Sequence, residues 1–318
     1  MNKLTKIGFS ALAGSLIAVS AHAGSMSVSG SASLTFSNTD DASAAAEGNG
    51  WTMGDSLTFA GSGEMDNGMT IAVSYEYDGD AEGTASTFDD HSMTLSSDEM
   101  GSLTFAGHGG DGAMSAIDDK TPNAMEESWD VTAGASTPPN GLSGENMFKY
   151  VSPTMSGVTL TIGYLNASDA INDVSYMDYA LAISPEMVDG LTVGFGQGET
   201  EETTGTVIDD QTMYATYAYG SLTVGYQVGE SDGPAAANDI DFTAIGLSYA
   251  VTDDISVSYN ESTIDKASSA NDQEATAIAA SFTSGGITVK GTMHSTDNVA
   301  HAATSDLDAY EFNIGFAF

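Results

Sequence analysis

From Ser25 to Phe318 large apolar side chains return at every second position, and small polar ones fill the places between. In SMSVSGSASLTF the apolar set is Met26, Val28, Ala32, Leu34 and Phe36, alternating with Ser27, Ser29, Ser31, Ser33 and Thr35. MTIAVSYEY, GVTLTIGYL, SLTVGYQV and GITVKGTM repeat the arrangement, and the chain closes on Tyr310, Phe312, Ile314, Phe316 and Phe318. A period of two is the signature of a strand with unlike faces. It predicts sixteen strands, over 26–36, 55–64, 69–78, 91–97, 102–108, 146–151, 158–166, 175–184, 191–199, 211–218, 222–229, 242–250, 255–263, 274–283, 287–295 and 307–318. Many approach the roughly 9 to 11 residues that a tilted strand needs to cross a bilayer.

The connections alternate between short and long. EMDNG, SDEMG, SPTMSG, SPEMVDG, YGS, VTDD and TSGG have the Gly, Asn, Asp and Pro chemistry of tight hairpins. NTDDASAAAEGNG, GETEETTGTVIDD and ESDGPAAANDID are long and acidic. One tight end and one elaborate end describe an antiparallel up-and-down transmembrane β-barrel. Sixteen apolar stripes are too many for one compact core, so they face lipid, and the Ser, Thr, Gly and Ala face lines a lumen too wide for side chains to plug. Closure also satisfies every backbone polar group in a medium that supplies no partners. Tyr75, Tyr77, Tyr217, Tyr219, Phe316 and Phe318 fall at strand ends, where an interfacial aromatic girdle would lie.

Residues 1–23 differ from the rest. Lys3 and Lys6 precede an apolar run from Ile7 to Val19, and Ala21, His22 and Ala23 form a small-residue cleavage site, the pattern of a secretory signal peptide. The remainder, 24–318, reads as one barrel domain. It holds all 45 acidic residues against Lys120, Lys149, Lys266 and Lys290, with no arginine and no cysteine. Such a surface repels nucleic acid and attracts cations.

The longest connection, about Gly109 to Glu145, separates the fifth and sixth predicted strands. Met114, Ile117 and Trp129 give it apolar anchors, so it is expected to fold into the lumen as an ordered segment. Asp111, Asp118, Asp119, Glu126, Glu127 and Asp130 would then bring carboxylates to the narrowest point. By strand parity the lumen wall carries Glu76, His108, Lys149, Asp178, Lys290, His294 and Glu311.

LTFAGSGEMDNGMTIAVSYEYDGD, then MTLSSDEMGSLTFAGHGGDGAM and a long acidic loop, resembles the general diffusion porins of Gram-negative outer membranes, of alphaproteobacterial type. The pattern covers nearly the whole mature chain, and the wording is close over 55–115 and at the terminus. The resemblance implies a sixteen-stranded homotrimeric barrel with periplasmic termini, a third loop folded inward as an eyelet, and a second loop latching the neighbouring subunit. It implies outer-membrane lipid and lipopolysaccharide as surroundings, and Tyr310, Phe312, Phe316 and Phe318 as the signal read by the outer-membrane insertion machinery. Porins of this type usually set an arginine and lysine cluster opposite the acidic eyelet. This chain has no arginine, so a weaker transverse field and stronger cation preference are expected.

Asp78, Asp80, Glu82, Gly83 and Asp89 imitate the spacing of a calcium loop, but strands flank them and Asp ends the motif where Glu is usual. No cofactor is required, and Ca²⁺ or Mg²⁺ at low affinity on the acidic loops is the expectation. Gly229, Glu230, Ser231, Asp232 and Gly233 match a nucleophile elbow, yet Pro234 follows where a helix should begin, and no enzyme is indicated. The competing reading is a secreted acidic β-rich adhesin or surface-layer protein, which would bury its apolar faces and carry no current.

Overall fold

The computed structural model describes residues 25–41, 48–78, 88–130, 135–167, 174–202 and 205–318. The signal peptide expected over 1–23 lies outside the described residues. In chain order the strands are β1 Ser25–Asp41, β2 Gly48–Glu64, β3 Thr70–Asp78, β4 His91–Ser97, β5 Gly101–His108, β6 Gly110–Asp111, β7 Ser143–Gly144, β8 Met147–Val151 and β9 Val158–Leu165. They continue as β10 Val174–Ile183, β11 Leu191–Glu202, β12 Val207–Tyr219, β13 Leu222–Asp232, β14 Ile240–Ala250, β15 Ile255–Lys266, β16 Gln273–Ser284, β17 Ile287–Asp297 and β18 Leu307–Ala317. All but β6 and β7 join one closed antiparallel barrel of sixteen strands, and β6 and β7 pair with each other.

Each barrel strand pairs with its neighbours in sequence, and β1 closes the ring on β18 with Leu34 opposite Ile314 and Phe36 opposite Phe312. The terminal Phe318 extends this ladder: its N–H donates to Gly30 O and its carbonyl accepts from Gly30 N–H, both at 2.9 Å. A Cβ on Gly30 would stand 2.7 Å from the Phe318 ring, so the glycine leaves room for the last aromatic group.

Burial settles which face is wet. Along β16, buried Gln273, Ala275, Ala277 and Ala279 alternate with the exposed Ile278 and Phe282. Along β14, Phe242 and Ala244 are buried while Ile245, Leu247 and Tyr249 are exposed. The same outward row holds Tyr75, Tyr77, Tyr217, Tyr219, Phe316 and Phe318, every one exposed. The hydrocarbon stripe is on the outside, as a lipid-facing barrel requires, and small or hydroxyl side chains face the centre.

The sequence pattern places the hairpin ends well but shortens the far ends of several strands. β1 and β2 run to Asp41 and from Gly48, and β11 and β12 extend through Glu202 and from Val207. The extension of β1, Ser37 to Asp41, is polar at every position, as is that of β11, Thr200 to Glu202. Above the bilayer neither face needs hydrocarbon, so alternation disappears while the backbone ladder continues.

Candidate functional site

The segment 109–145 joins β5 to β8, which are adjacent in the barrel. Gly109 turns the chain with φ +65°, and the two-residue β6 and β7 tie the segment's ends together, Gly110 opposite Gly144. At the same root His108 stands between two carboxylates, Nδ1 3.4 Å from Asp90 and Nε2 3.6 Å from Glu145.

The segment then runs along the wall, and its hydrogen bonds trace the path. Met114 N–H donates to Asp178 Oδ2 on β10 at 2.7 Å. Lys120 N–H donates to Gln227 Oε1 on β13 at 2.9 Å, and Gln227 Nε2 donates back to the Asp118 carbonyl. Ala124 N–H donates to Ser258 Oγ on β15 at 2.8 Å, and Ser128 Oγ to Ser262 Oγ at 2.8 Å. His294 Nδ1 on β17 lies 3.3 Å from the Ser128 carbonyl, and Ser136 exchanges two bonds with Gln273 on β16 at 2.8 and 2.9 Å. Every one of these partners belongs to the face opposite the hydrocarbon stripe. A segment rooted beside β8 that reaches β17 along that face lies inside the barrel. Trp129 anchors it against Phe242, ring centroids 4.9 Å apart and edge-on at 86°, with Ala244 and Ile264 beside them.

The wall beneath the segment is cut to receive it. A Cβ on Gly225 would lie 2.4 Å from Pro122 Cδ, one on Gly246 2.9 Å from Pro122 N, and one on Gly196 2.6 Å from Ile117 Cδ1. Gly163 and Gly198 meet the loop too, a Cβ there standing 3.0 Å from Gly112 Cα and 3.1 Å from Met114 Sδ. These inward glycines form a bed on which the loop approaches the strand backbone closely. Sequence reading missed them, although a glycine at inward parity within a strand is the signal that finds them. Gly246→Val is expected to lift the segment at Pro122, since the crowding atoms are backbone, costing about 1 to 3 kcal/mol of overpacking. Single-channel conductance of the variant should fall, because the lifted segment moves further into the lumen, and wild-type conductance would contradict the bed.

The predicted site residues separate into two groups. Asp111, Asp119 and Asp130 are exposed, Glu126 is half-buried, and Asp118 and Glu127 are buried within the loop. On the wall Glu76, Lys149, Lys290 and Glu311 are inward and partly open, Glu76 accepting a hydrogen bond from Ser56 Oγ. Asp178 and His294 are also inward, but the loop covers both, and they hold the loop where the sequence reading had them face the water. Because the loop bonds to β10, β13, β15, β16 and β17, the wall across from it is β18 and β1–β4. That wall is lined by hydroxyls, Ser27 through Ser37 on β1 among them, with Asn313 Nδ2 donating to Thr35 Oγ1 at 2.7 Å. Among the described residues the only close ion pairs are the two at His108, so no lysine is paired with a carboxylate there. Asp80 and Glu82 lie outside the described residues, and among the described residues no three His, Cys, Asp or Glu side chains gather as a metal site.

Burial raises the loop carboxyls above their ordinary range. Asp119, although its surface is open to the lumen, is pushed up to about 6, first by partial desolvation among the surrounding protein atoms and then by Asp118 and Asp130. Glu126 is pushed up to about 7, by burial and then by Glu311 and Asp130, with Lys290 opposing. Asp118 and Glu127 shift the same way, again chiefly through burial. A carboxyl raised in the folded state favours folding in its protonated form. For Glu126 that contribution is present below its unfolded value of 4.5 and lost as pH rises through about 7.

A closed barrel with hydrocarbon outside, hydroxyls and carboxylates inside, and a loop laid across its lumen is a transmembrane channel. The sequence profile of the Gram-negative porins matches residues 8–272, and the chain belongs to that family. Its fold is similar to the anion-selective porin from Comamonas acidovorans, at TM-score 0.71 and 17% identity over 93% of this chain and 100% of that one. It is also similar to a mutant of the Rh. blastica porin, at 0.66 and 17% over 92% and 100%, and to OmpT of Vibrio cholerae, at 0.69 and 12% over 96% and 100%. At these identities the likeness is one of fold. A search of curated proteins finds no match. The family and the barrel make this an outer-membrane channel for passive diffusion.

Proposed function

We propose that the protein is a general porin whose water-filled pore favours cations and passes small hydrophilic solutes without chemistry or an energy source. The observation that carries this reading is the disposition of charge at the loop. Asp119, Glu126 and Asp130 stand open or half-open in the lumen, and the facing wall offers hydroxyls and no arginine. One unit charge about 7 Å from an ion in water contributes about 0.6 kcal/mol, so several together produce a preference and not a filter. Planar-bilayer recording in a salt gradient tests it: the reversal potential should show cation bias, and anion bias would overturn the reading.

The loop carboxyls give that bias a pH dependence. As pH falls from 8 to 5, Glu126 and then Asp119 take up protons, and the negative charge at the constriction declines. Cation preference should fall over that interval. A flat profile between pH 8 and 5 would show that these carboxyls do not face the conducting path.

In this reading the barrel works as a homotrimer with both termini on the periplasmic side, and residues 1–23 are the cleaved signal. Tyr310, Phe312, Phe316 and Phe318, all exposed at the barrel's closing strand, serve the insertion machinery. Ca²⁺ or Mg²⁺ binds weakly at the acidic rim, supported by the register there: Glu230 lies opposite Asp241, and Asp241 opposite Asp265. Like charges placed opposite each other repel, and divalent cations relieve them. A thermal transition that chelation leaves in place would remove the idea.

A further inference from the structure

We infer that Asp178 is a positioning residue that fixes the loop inside the pore and, through it, the placement of the selective carboxylates. The inference rests on the reading of the pore as cation-favouring. Asp178 is completely buried on the inward face of β10. Its Oδ2 accepts from Met114 N–H at 2.7 Å and from Tyr176 OH at 2.9 Å. Its Oδ1 has no partner. Glycine surrounds it: a Cβ on Gly112 would stand 2.4 Å from Oδ2, and one on Gly163 2.2 Å from Oδ1.

This arrangement differs in kind from the other anchors. Gln227, Ser258, Ser262 and Gln273 are neutral and hold the loop through ordinary amide and hydroxyl bonds. Asp178 alone among them is a carboxyl, and one of its oxygens accepts both from the loop backbone and from the neighbouring tyrosine of the same strand. A buried carboxylate is costly without donors, and here one loop N–H and one tyrosine hydroxyl are the donors present. The loop residue it holds, Met114, opens the short 3₁₀ turn Met114–Ala116 and is itself fully buried. From that turn the chain runs directly to Asp118 and Asp119. Fixing Met114 therefore fixes where the first carboxylates of the constriction stand.

The test is electrical and uses the full-length protein reconstituted in planar bilayers. Asp178→Ala should raise single-channel conductance and lower the cation-to-anion permeability ratio roughly twofold or more, as the carboxylates move away from the path. Asp178→Asn keeps an acceptor for both donors and should stay close to wild type. Because the chain has no cysteine, a clamp can be added: Ala124→Cys with Ser258→Cys, at a point where the loop N–H already lies 2.8 Å from the wall hydroxyl. In the Asp178→Ala background the oxidised clamp should restore conductance and selectivity, and reduction should abolish the rescue. A merely structural role would lower thermal stability without answering to the clamp.

Wild-type behaviour of Asp178→Ala, or a clamp without effect, overturns the inference. Should Asp178→Ala fail to form barrels, Tyr176→Phe and Gly112→Ala disturb the same carboxylate from either side. Wild-type conductance and selectivity in both would overturn it equally. A wild-type channel lacking cation bias would instead defeat the proposed function, leaving the conductance and clamp measurements to judge Asp178 separately.

Discussion

Replacing Asp119, Glu126 and Asp130 together by their amides should lower the cation-to-anion permeability ratio roughly fivefold or more at 0.1 M salt and pH 8. Three charges near 7 Å give about 1.8 kcal/mol unscreened. A Debye length of about 10 Å removes about half of that, leaving about 0.9 kcal/mol, or about a fivefold ratio. The buried pair supplies the contrast. Asp118→Asn should change selectivity much less, because Asp118 lies within the loop, where its Oδ2 is 3.4 Å from Gly141 N–H. Reversal potentials across a fixed gradient measure both. Equal, small shifts for the triple variant and for Asp118→Asn would mean that the conducting path does not pass these residues.

Leu247→Lys should largely prevent assembly of the barrel in membranes, whereas Ser248→Lys, one residue on, should be tolerated. Leu247 is exposed on the outward face between Val224 and Tyr259, and Ser248 lies on the inward face. A lysine facing lipid near the midplane costs about 2 to 4 kcal/mol. A lysine facing the lumen meets water. Recovery of heat-resistant barrel on gels reports the difference. Equal yields for the two variants would contradict the assignment of faces.

The alternation of residue types made the sixteen strands and their inner and outer faces legible, because a lipid outside and water inside impose opposite demands on successive positions. The loop's inward course was also legible through Met114, Ile117 and Trp129, which have no reason to exist in a solvated connection. What the sequence did not show is the fit between loop and wall. Gly225 and Gly246 look like weak points of their strands until Pro122 is seen against them. Asp178 and His294 have the right parity for a pore wall, but parity cannot tell an inward residue that meets water from one that meets the loop. That distinction depends on contacts more than a hundred residues apart along the chain, such as Ala124 with Ser258.

The barrel's hydrocarbon face touches lipid and its hydroxyl face touches water. Single cysteines carrying spin labels, placed through the hairpin of β16 and β17 in reconstituted protein, test it most directly. Labels at Ala280, Phe282, Ile287 and Val289 should collide with dissolved oxygen, and labels at Ser281, Thr283, Thr288 and Lys290 with a water-soluble nickel chelate. The reverse pattern, or chelate access at all eight positions, would contradict the account.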